Sequence, residues 1–404
     1  MEVLKQPNKF VTQTLGLQTA EPGIQYRLSR FVIVEGDAMH NSLTGEALRG
    51  ADEAAQIARW FKVPADMDEA MLAYQIRQKF LRTSKASTAS THQRYVIMLT
   101  TACNAACTYC YEQGIKIMHM TEQTARDVAD YIIRHSNPTV PPKIRWFGGE
   151  PFCNIPAINT IVDELTAYGM PFESDAFTNG DLLHDIPDEV LKRWKLRRIQ
   201  LTVDDIGPEY DRIKGLPSGA FDRLCETIDR VTALGIKISL RTHYHPGEGW
   251  GAPLRVAQRF CGMKNVSPYC SMLYGGGTEE DYAGLLTVQE YIDQHGGHKI
   301  NFPKLRFGTS CMADSRHTAC ITPDGHLSPC EHYAYGENYG DIHGGRLDQS
   351  VLKRWAAKSR NYCSGCVFYP ACGKMALCPA EGKCSPEEIQ HQVNRIKYLL
   401  RGTK

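Results

Sequence analysis

No apolar run in this 404-residue chain approaches the roughly 20 residues that a helix needs to cross a bilayer. The N-terminus, Met1-Glu2-Val3-Leu4-Lys5-Gln6, also lacks the basic-then-apolar order of a secretory signal. A cytoplasmic protein with no membrane partner is expected. Charge of one sign is missing too: 46 Lys and Arg stand against 45 Asp and Glu, a net +1. That balance supplies neither a basic field for nucleic acid nor an acidic tail, so no nucleic-acid partner is expected. Low-complexity tracts and fixed-period repeats are absent, and residues 1 to 90 contain no cysteine.

The chain is nevertheless rich in cysteine, with fifteen in all. In a secreted protein they would suggest disulfides, whereas in a reducing compartment they favour metal or cluster binding. Nine lie from Cys270 onward, and Cys103, Cys107 and Cys110 form the only tight group before that. With 42% hydrophobic and 23% charged residues the composition is that of a globular protein, and 404 residues suit two or three compact units.

In the first 90 residues, Tyr26–Glu35 has strand character, Asp37–Gly45 is rich in turn formers, and Glu46–Lys62 and Met67–Leu81 show helical spacing. This predicts a small α+β unit over 1–90, ended by a polar linker at Thr83–Thr91. Strand-like and helix-like segments then alternate. Tyr95–Thr100 is followed by the cysteine loop and a helix capped by Thr121; Lys143–Phe147 leads to Ile155–Tyr168, and Glu173–Thr178 to Asp188–Trp194. Arg198–Val203 leads to Phe221–Leu234, and Lys237–Thr242 to Ala252–Phe260. Such alternation predicts a parallel α/β sheet, either a barrel or doubly wound. Parallel folds gather their sites at the carboxyl ends of strands, where this chain has Cys103–Cys110, Gly148-Gly149-Glu150-Pro151, Asn179-Gly180 and Asp204-Asp205, with Arg241 near the last end. Beyond residue 300, Ala319–Thr322 and His326–Ser328 flank Pro323-Asp324-Gly325 and read as a hairpin with Cys320 and Cys330 at its ends.

Cys103, Cys107 and Cys110 stand in C-x3-C-x2-C spacing. Three such thiolates can ligate three irons of a [4Fe–4S] cubane and leave the fourth open; the plainer alternative, a structural zinc site, needs a fourth ligand. The paired glycines can let a ligand approach the backbone, Glu150 can accept hydrogen bonds from an ammonium, and Arg241 can pair with a carboxylate. The cysteine loop after the first strand, taken with the GGEP segment after the second, resembles the radical S-adenosylmethionine (SAM) superfamily over residues 95 to 300. The resemblance implies a partial (β/α)6 barrel over 91–304, with SAM chelating the open iron and yielding a 5′-deoxyadenosyl radical on reduction. It also implies an electron donor such as flavodoxin or ferredoxin. Tyr109 would then pack on the adenine, and Gly148, Gly149, Glu150, Asn179, Asp204 and Arg241 would border the SAM site.

A second pattern runs C-x13-G-x4-C through Cys311, Gly325 and Cys330, then C-x2-C-x5-C through Cys363, Cys366 and Cys372, followed by Cys378 and Cys384. It resembles the SPASM extension of radical SAM enzymes, a Cys-rich C-terminal domain expected over 305–404 with two auxiliary [4Fe–4S] clusters. The resemblance implies Cys311, Cys330 and Cys378 on one cluster, with Cys320 as the natural fourth ligand, and Cys363, Cys366, Cys372 and Cys384 on the other. Where the family has three residues before the next cysteine, this chain has five between Cys372 and Cys378. Zinc ribbons are the alternative for the same spacings. Glu331 follows Cys330 where sulfatase maturases of this type carry an Asp that accepts a proton, which makes Glu331 a candidate base. Cys153, Cys225, Cys261 and Cys270 fit neither pattern and read as buried thiols, and His243 and His245 read as structural histidines.

The expectation is a radical SAM/SPASM maturase that abstracts hydrogen from a ribosomally made peptide and closes a thioether, ether or carbon–carbon cross-link. A precursor with a leader is the expected partner, docked on residues 1–90 by strand addition. Two alternatives stand beside it: a sulfatase-type maturase oxidising Cys or Ser to formylglycine, and a non-catalytic iron–sulfur carrier or zinc-binding adaptor.

Overall fold

Strand burial follows a period of two in the middle of the barrel strands. In β8 (Lys143–Phe147) Ile144 and Trp146 are buried while Arg145 is partly open; in β9 (Glu173–Thr178) Ser174, Ala176 and Thr178 are buried while Asp175 and Phe177 are not. The period of two sends one face under the helices and leaves the other lining a concave interior. The computed structural model describes residues 2–6, 9, 11, 13, 20–50, 53, 61–86, 92–137, 139–273, 276–297, 312, 318–334, 336, 338–344, 347–348, 350–351, 366–369 and 384–402. Among the described residues no helix is long and apolar enough to cross a membrane.

The chain divides into two compact units: residues 1–88, 300–314 and 356–404 in one, and 89–299 and 315–355 in the other. This division does not isolate the stretch 305–404, which is shared between them.

In the first unit, β1 (Glu2–Lys5), β3 (Val32–Glu35), β4 (Ala38–Asn41) and β5 (Ala47–Arg49) form a sheet in the order β1-β5-β4-β3, and β2 (Tyr26–Leu28) pairs with β6 (Lys62–Pro64). Two expectations fail here. Residues 38–41, read as turn, form a strand because Gly36 at positive φ folds them back on β3, and Ala47–Arg49, read as helix, pairs with β4. Most of 51–60 lies outside the described residues. Helix α1 (Glu69–Ala86) extends four residues into the expected linker as far as the description goes. The C-terminal helix Pro386–Gly402 lays Ile396 and Leu400 on Ile33, Ala38 and Ala47, which gives the small sheet its apolar cover.

In the second unit, β7 (Arg94–Met98), β8, β9, β10 (Leu196–Thr202), β11 (Lys237–Tyr244) and β12 (Val266–Met272) lie parallel and in sequential order. Helices α2 (Glu122–His135), α3 (Ile155–Ala167), α4 (Asp188–Arg193), α5 (Gly207–Lys214) with α6 (Ala220–Ala233), and α7 (Gly251–Phe260) make the crossovers, and α8 (Glu279–Gln294) follows β12. This is the α/β partial (β/α)6 arrangement, with each crossover joining neighbouring strands. Thr121 caps α2 as expected, its hydroxyl accepting from Thr124 N–H. Strand β12 went unread in the sequence because Pro268 argues against a strand; it is the edge strand, where a missing N–H is tolerated. The expected hairpin is present as β13 (Thr318–Ile321) and β14 (His326–Ser328), closed by Gly325 at φ 85°. It extends the barrel sheet, because β13 runs parallel beside β7, and β15 (Gly340–Asp341) pairs with β14.

Helix α8 starts from a reciprocal cap: Asp281 N–H donates to the Thr278 hydroxyl, and Thr278 N–H donates to the Asp281 carboxylate. Replacing Thr278 by Ala is expected to cost about 1 kcal/mol of stability, read as an earlier unfolding midpoint in denaturant.

Candidate active site

The loop from Leu99 to Met120 is closed at its base. Met120 N–H donates to Leu99 C=O at 2.9 Å, Thr101 N–H to Met118 C=O at 3.0 Å, and the Thr100 hydroxyl to Met118 C=O at 2.8 Å. On this loop Cys103 is exposed, Cys107 and Cys110 are half-buried, and all three thiols are free. Cys110 N–H turns back on Cys107 C=O at 3.1 Å, while Cys103 Sγ receives Ala105 N–H at 3.4 Å and Asn179 Nδ2 at 3.7 Å. Free thiols on one closed loop, with N–H donors already aimed at a sulfur, fit a cluster held by three thiolates. Burial pushes the Cys110 thiol up, so a bound cation must displace its proton.

The Gly148-Gly149 pair meets a packing demand that the sequence did not indicate. A Cβ on Gly148, whose φ is +145°, would stand 2.3 Å from Thr100 O, and one on Gly149 would stand 2.6 Å from Ala102 O. The glycines therefore let the turn after β8 press against the cysteine loop itself, where Gly149 N–H donates to Thr100 C=O and Glu150 N–H to Ala102 C=O. Glu150 is fully buried, and its carboxylate accepts from the Thr178 hydroxyl, Asn179 N–H and Phe152 N–H, tying the ends of β8 and β9 together. Burial raises its pKa from 4.5 to about 7, against the pull of those hydrogen bonds.

On the other side, Tyr109 reaches down between Cys107 and Cys110. Its hydroxyl donates to Asp204 and accepts from Lys214 Nζ at 2.6 Å; Lys214 Nζ lies 2.8 Å from Asp204, with both side chains buried. His243 Nδ1 meets Asp204 at 2.8 Å, and the Tyr109 ring stands edge-on to His243 and His245 at 5.3 and 5.2 Å. Burial alone would raise the Asp204 carboxyl, yet the Lys214 ammonium and His243 outweigh it and hold the group well below the usual range. Burial also lowers His243 despite Asp204. Asp204, His243 and His245 have ligand atoms within 4.8 Å of one another, but Asp204 is already engaged by Tyr109, Lys214 and His243 on its two oxygens, which leaves little for a cation.

The structure thus brings Tyr109, Gly148, Gly149, Glu150, Asn179 and Asp204 to the three cysteines. Arg241 sits deeper on the concave face, donating from Nε to Ser271 Oγ. Cys320 and Cys330 are buried near one another at the hairpin, and Glu331 acts on Cys320, whose thiol is raised first by burial. Glu331 Oε2 is buried without a hydrogen-bond partner, and the next residue, His332, has its ring 5.1 Å from Tyr111, directly after Cys110. Cys366 and Cys384 are half-buried, whereas Cys311, Cys363, Cys372 and Cys378 lie outside the described residues. Two site residues were missed in the sequence, Lys214 and Thr178. Lys214 looks like an ordinary basic residue at a helix end, and the signal available was its place immediately before Gly215, the left-handed C-cap of α5.

Two outcomes follow from these contacts. Lys214→Met leaves the Asp204 charge unpaired in the interior and is expected to cost about 3–5 kcal/mol in denaturant unfolding, with most of it regained in Lys214→Met/Asp204→Asn. Glu150 has a folded pKa above its unfolded one, so its stabilising contribution is full below about pH 4.5 and is lost as pH rises through about 7. That slope, roughly 3 kcal/mol from the size of the shift, should disappear in Glu150→Gln when unfolding is compared at acid and mildly alkaline pH.

Residues 97–260 match the Radical SAM superfamily. The GTP 3′,8-cyclase of Clostridium perfringens strain SM101 is 22% identical over 293 residues, 65% of this chain and 88% of the relative. Native anSMEcpe with bound AdoMet and Cp18Cys peptide superposes with a TM-score of 0.54 at 13% identity, over 77% of this chain and 99% of that one. Streptococcus suis SuiB bound to S-adenosylmethionine superposes at 0.53 with 14% identity, over 94% and 97%. At these identities the solved structures establish the fold, while the superfamily match falls on the strands and loops that carry the cysteine triad and the Gly148–Glu150 turn. Residues 97–260, within the second compact unit, thus form a radical SAM enzyme domain.

Proposed function

We propose that this enzyme is a SPASM-type maturase of a ribosomally made peptide, forming an intrapeptide thioether, ether or carbon–carbon cross-link. The observation that carries the reading is the clasp of Gly148–Glu150 and Asp204–Lys214 on the loop of Cys103, Cys107 and Cys110, which presents three free thiols above the strand ends. A cluster held there with SAM would supply a 5′-deoxyadenosyl radical. This chain's own residues do the rest: Asn179 donates toward Cys103, Glu150 fixes the turn that faces the loop, and the Tyr109 hydroxyl holds the Cys107–Cys110 turn down.

Peptide as substrate class is supported by the solved neighbour bound to the Cp18Cys peptide and by the likeness to SuiB over nearly the whole chain. Strands β1 and β3 are the edges of the N-terminal sheet, and an extended leader could add to either. Glu331, with its unpartnered buried oxygen, is the candidate proton acceptor, and the C-terminal cysteines, Cys320 and Cys330 among them, would hold the auxiliary clusters that take up the substrate's electron. An external flavodoxin or ferredoxin would deliver the first electron. The sulfatase-type alternative, oxidation of Cys or Ser to formylglycine, is favoured by the anSMEcpe likeness and disfavoured by Glu in place of Asp at 331.

The test is anaerobic reconstitution followed by SAM and dithionite. Formation of 5′-deoxyadenosine is expected, with at least about a hundredfold loss in Cys103→Ala, Cys107→Ala or Cys110→Ala. In Cys363→Ala some uncoupled cleavage should survive while peptide product is lost. Equal loss in both sets of variants would refute the division between radical and auxiliary sites, and mass spectrometry of a co-expressed neighbouring peptide or sulfatase separates cross-link from formylglycine.

A further inference from the structure

Two arginines, Arg145 and Arg241, stand on the strands that line the concave face of the barrel. Arg145 on β8 makes a bidentate pair with Asp175 on β9, at 2.6 and 3.1 Å, so its charge is matched. Arg241 on β11 is not. Leu240 and Thr242 on either side of it are buried beneath the helices, so Arg241 projects from the opposite, concave face. Its Nε donates to Ser271 Oγ at 2.8 Å on β12, and among the described residues no carboxylate lies within ion-pairing distance of it. With Nε engaged, the two terminal nitrogens remain as a planar fork, the shape that takes both oxygens of a carboxylate. Nearby, Tyr269 donates to Gln200 at 3.1 Å, and both Arg241 and Arg145 act against the burial that raises the Tyr269 phenol, so two guanidinium charges converge on one small region. A half-buried cation held by a single hydroxyl is poorly compensated, and a bound anion would complete it.

Position decides which anion. Arg241 lies two residues before His243, which is the β11 residue that reaches Asp204 beneath the cysteine loop. A pair of residues along a strand is about 7 Å, so the fork opens below the layer where Tyr109 meets the strand ends. We propose that Arg241 is a specificity determinant that receives a carboxylate of the substrate, an acidic side chain or the C-terminal carboxylate of the peptide, rather than that of SAM. This deepens the peptide reading above and rests on it for the identity of the ligand. The substrate would then be anchored inside the barrel by its acid group, with a neighbouring residue offered upward to the cysteine loop.

The probes are N-acetyl-L-glutamate α-methylamide, which carries one carboxylate, and its neutral isostere N-acetyl-L-glutamine α-methylamide, titrated calorimetrically into the reconstituted protein. Saturable binding of the acid is expected, with the amide about tenfold weaker or more. Arg241→Met should lose the acid by a similar factor, and Arg241→Lys, which keeps the charge without the fork, should fall between. The Kd of SAM should stay within about twofold in both variants. Equal binding of acid and amide, or acid binding unchanged in Arg241→Met, overturns the proposal; a tenfold weaker SAM would give the guanidinium to the cosubstrate and overturn it as well. Should Arg241→Met not fold, the Lys variant decides by the same comparison. Probe binding is read without SAM cleavage, so a protein that binds the acid yet makes no 5′-deoxyadenosine fails the maturase reading and not this one.

Discussion

A lysine and an aspartate buried together constrain this molecule more than any other contact. Lys214 and Asp204 are 2.8 Å apart with almost no exposure, and neither charge is tolerable there without the other. Each is spoken for by a different piece of chain. Asp204 follows β10, Lys214 ends α5, and His243 near the end of β11 bonds the same carboxylate. The cysteine loop enters through Tyr109, and again through Ala106, whose N–H donates to Lys214 C=O at 2.8 Å. A loop without regular structure is thereby held to three elements of the barrel.

The opposite flank is fastened by backbone alone. Gly148 and Gly149 come so near Thr100 and Ala102 that no side chain fits, and Glu150 then carries the contact on to β9 through Thr178 and Asn179. Of the two flanks, one relies on charge and the other on the absence of Cβ atoms. Between them the three thiols keep a common base before any iron arrives, which lowers the ordering cost of binding it.

Much of this was legible in the sequence, for identifiable reasons. Strands β8 and β9 were placed to the residue, and β7, β10 and β11 within a residue or two, because parallel strands under helices carry β-branched and aromatic runs bounded by glycine and proline. The cysteine triad announced itself by spacing, and Glu150 by its place in the Gly148-Gly149-Glu150-Pro151 segment at a strand end. What escaped depended on tertiary context. Pro268 disguised an edge strand, and Ala38–Asn41 became a strand only because Val32–Glu35 lay ready to pair with it. The glycine pair was seen, but the neighbour that requires it was not, since nothing local in Gly148-Gly149 indicates that Thr100 lies opposite. Lys214 was invisible for the same reason: a basic residue in a last helical turn ordinarily serves the helix dipole.

The hairpin places Cys320 and Cys330 on the barrel sheet itself. Parallel pairing places Cys320 beside Val96 on β7, the strand that runs directly into the cysteine loop. Neighbouring strands lie about 4.8 Å apart, and a packed sheet resists shear, so the Cys320–Cys330 end of the hairpin is fixed relative to Cys103–Cys110 by hydrogen bonds rather than by a linker. The contact of His332 with Tyr111 closes the same circuit from the far side of Glu331. Cys330 and Glu331 accordingly keep a constant position with respect to the cysteine loop within the second unit.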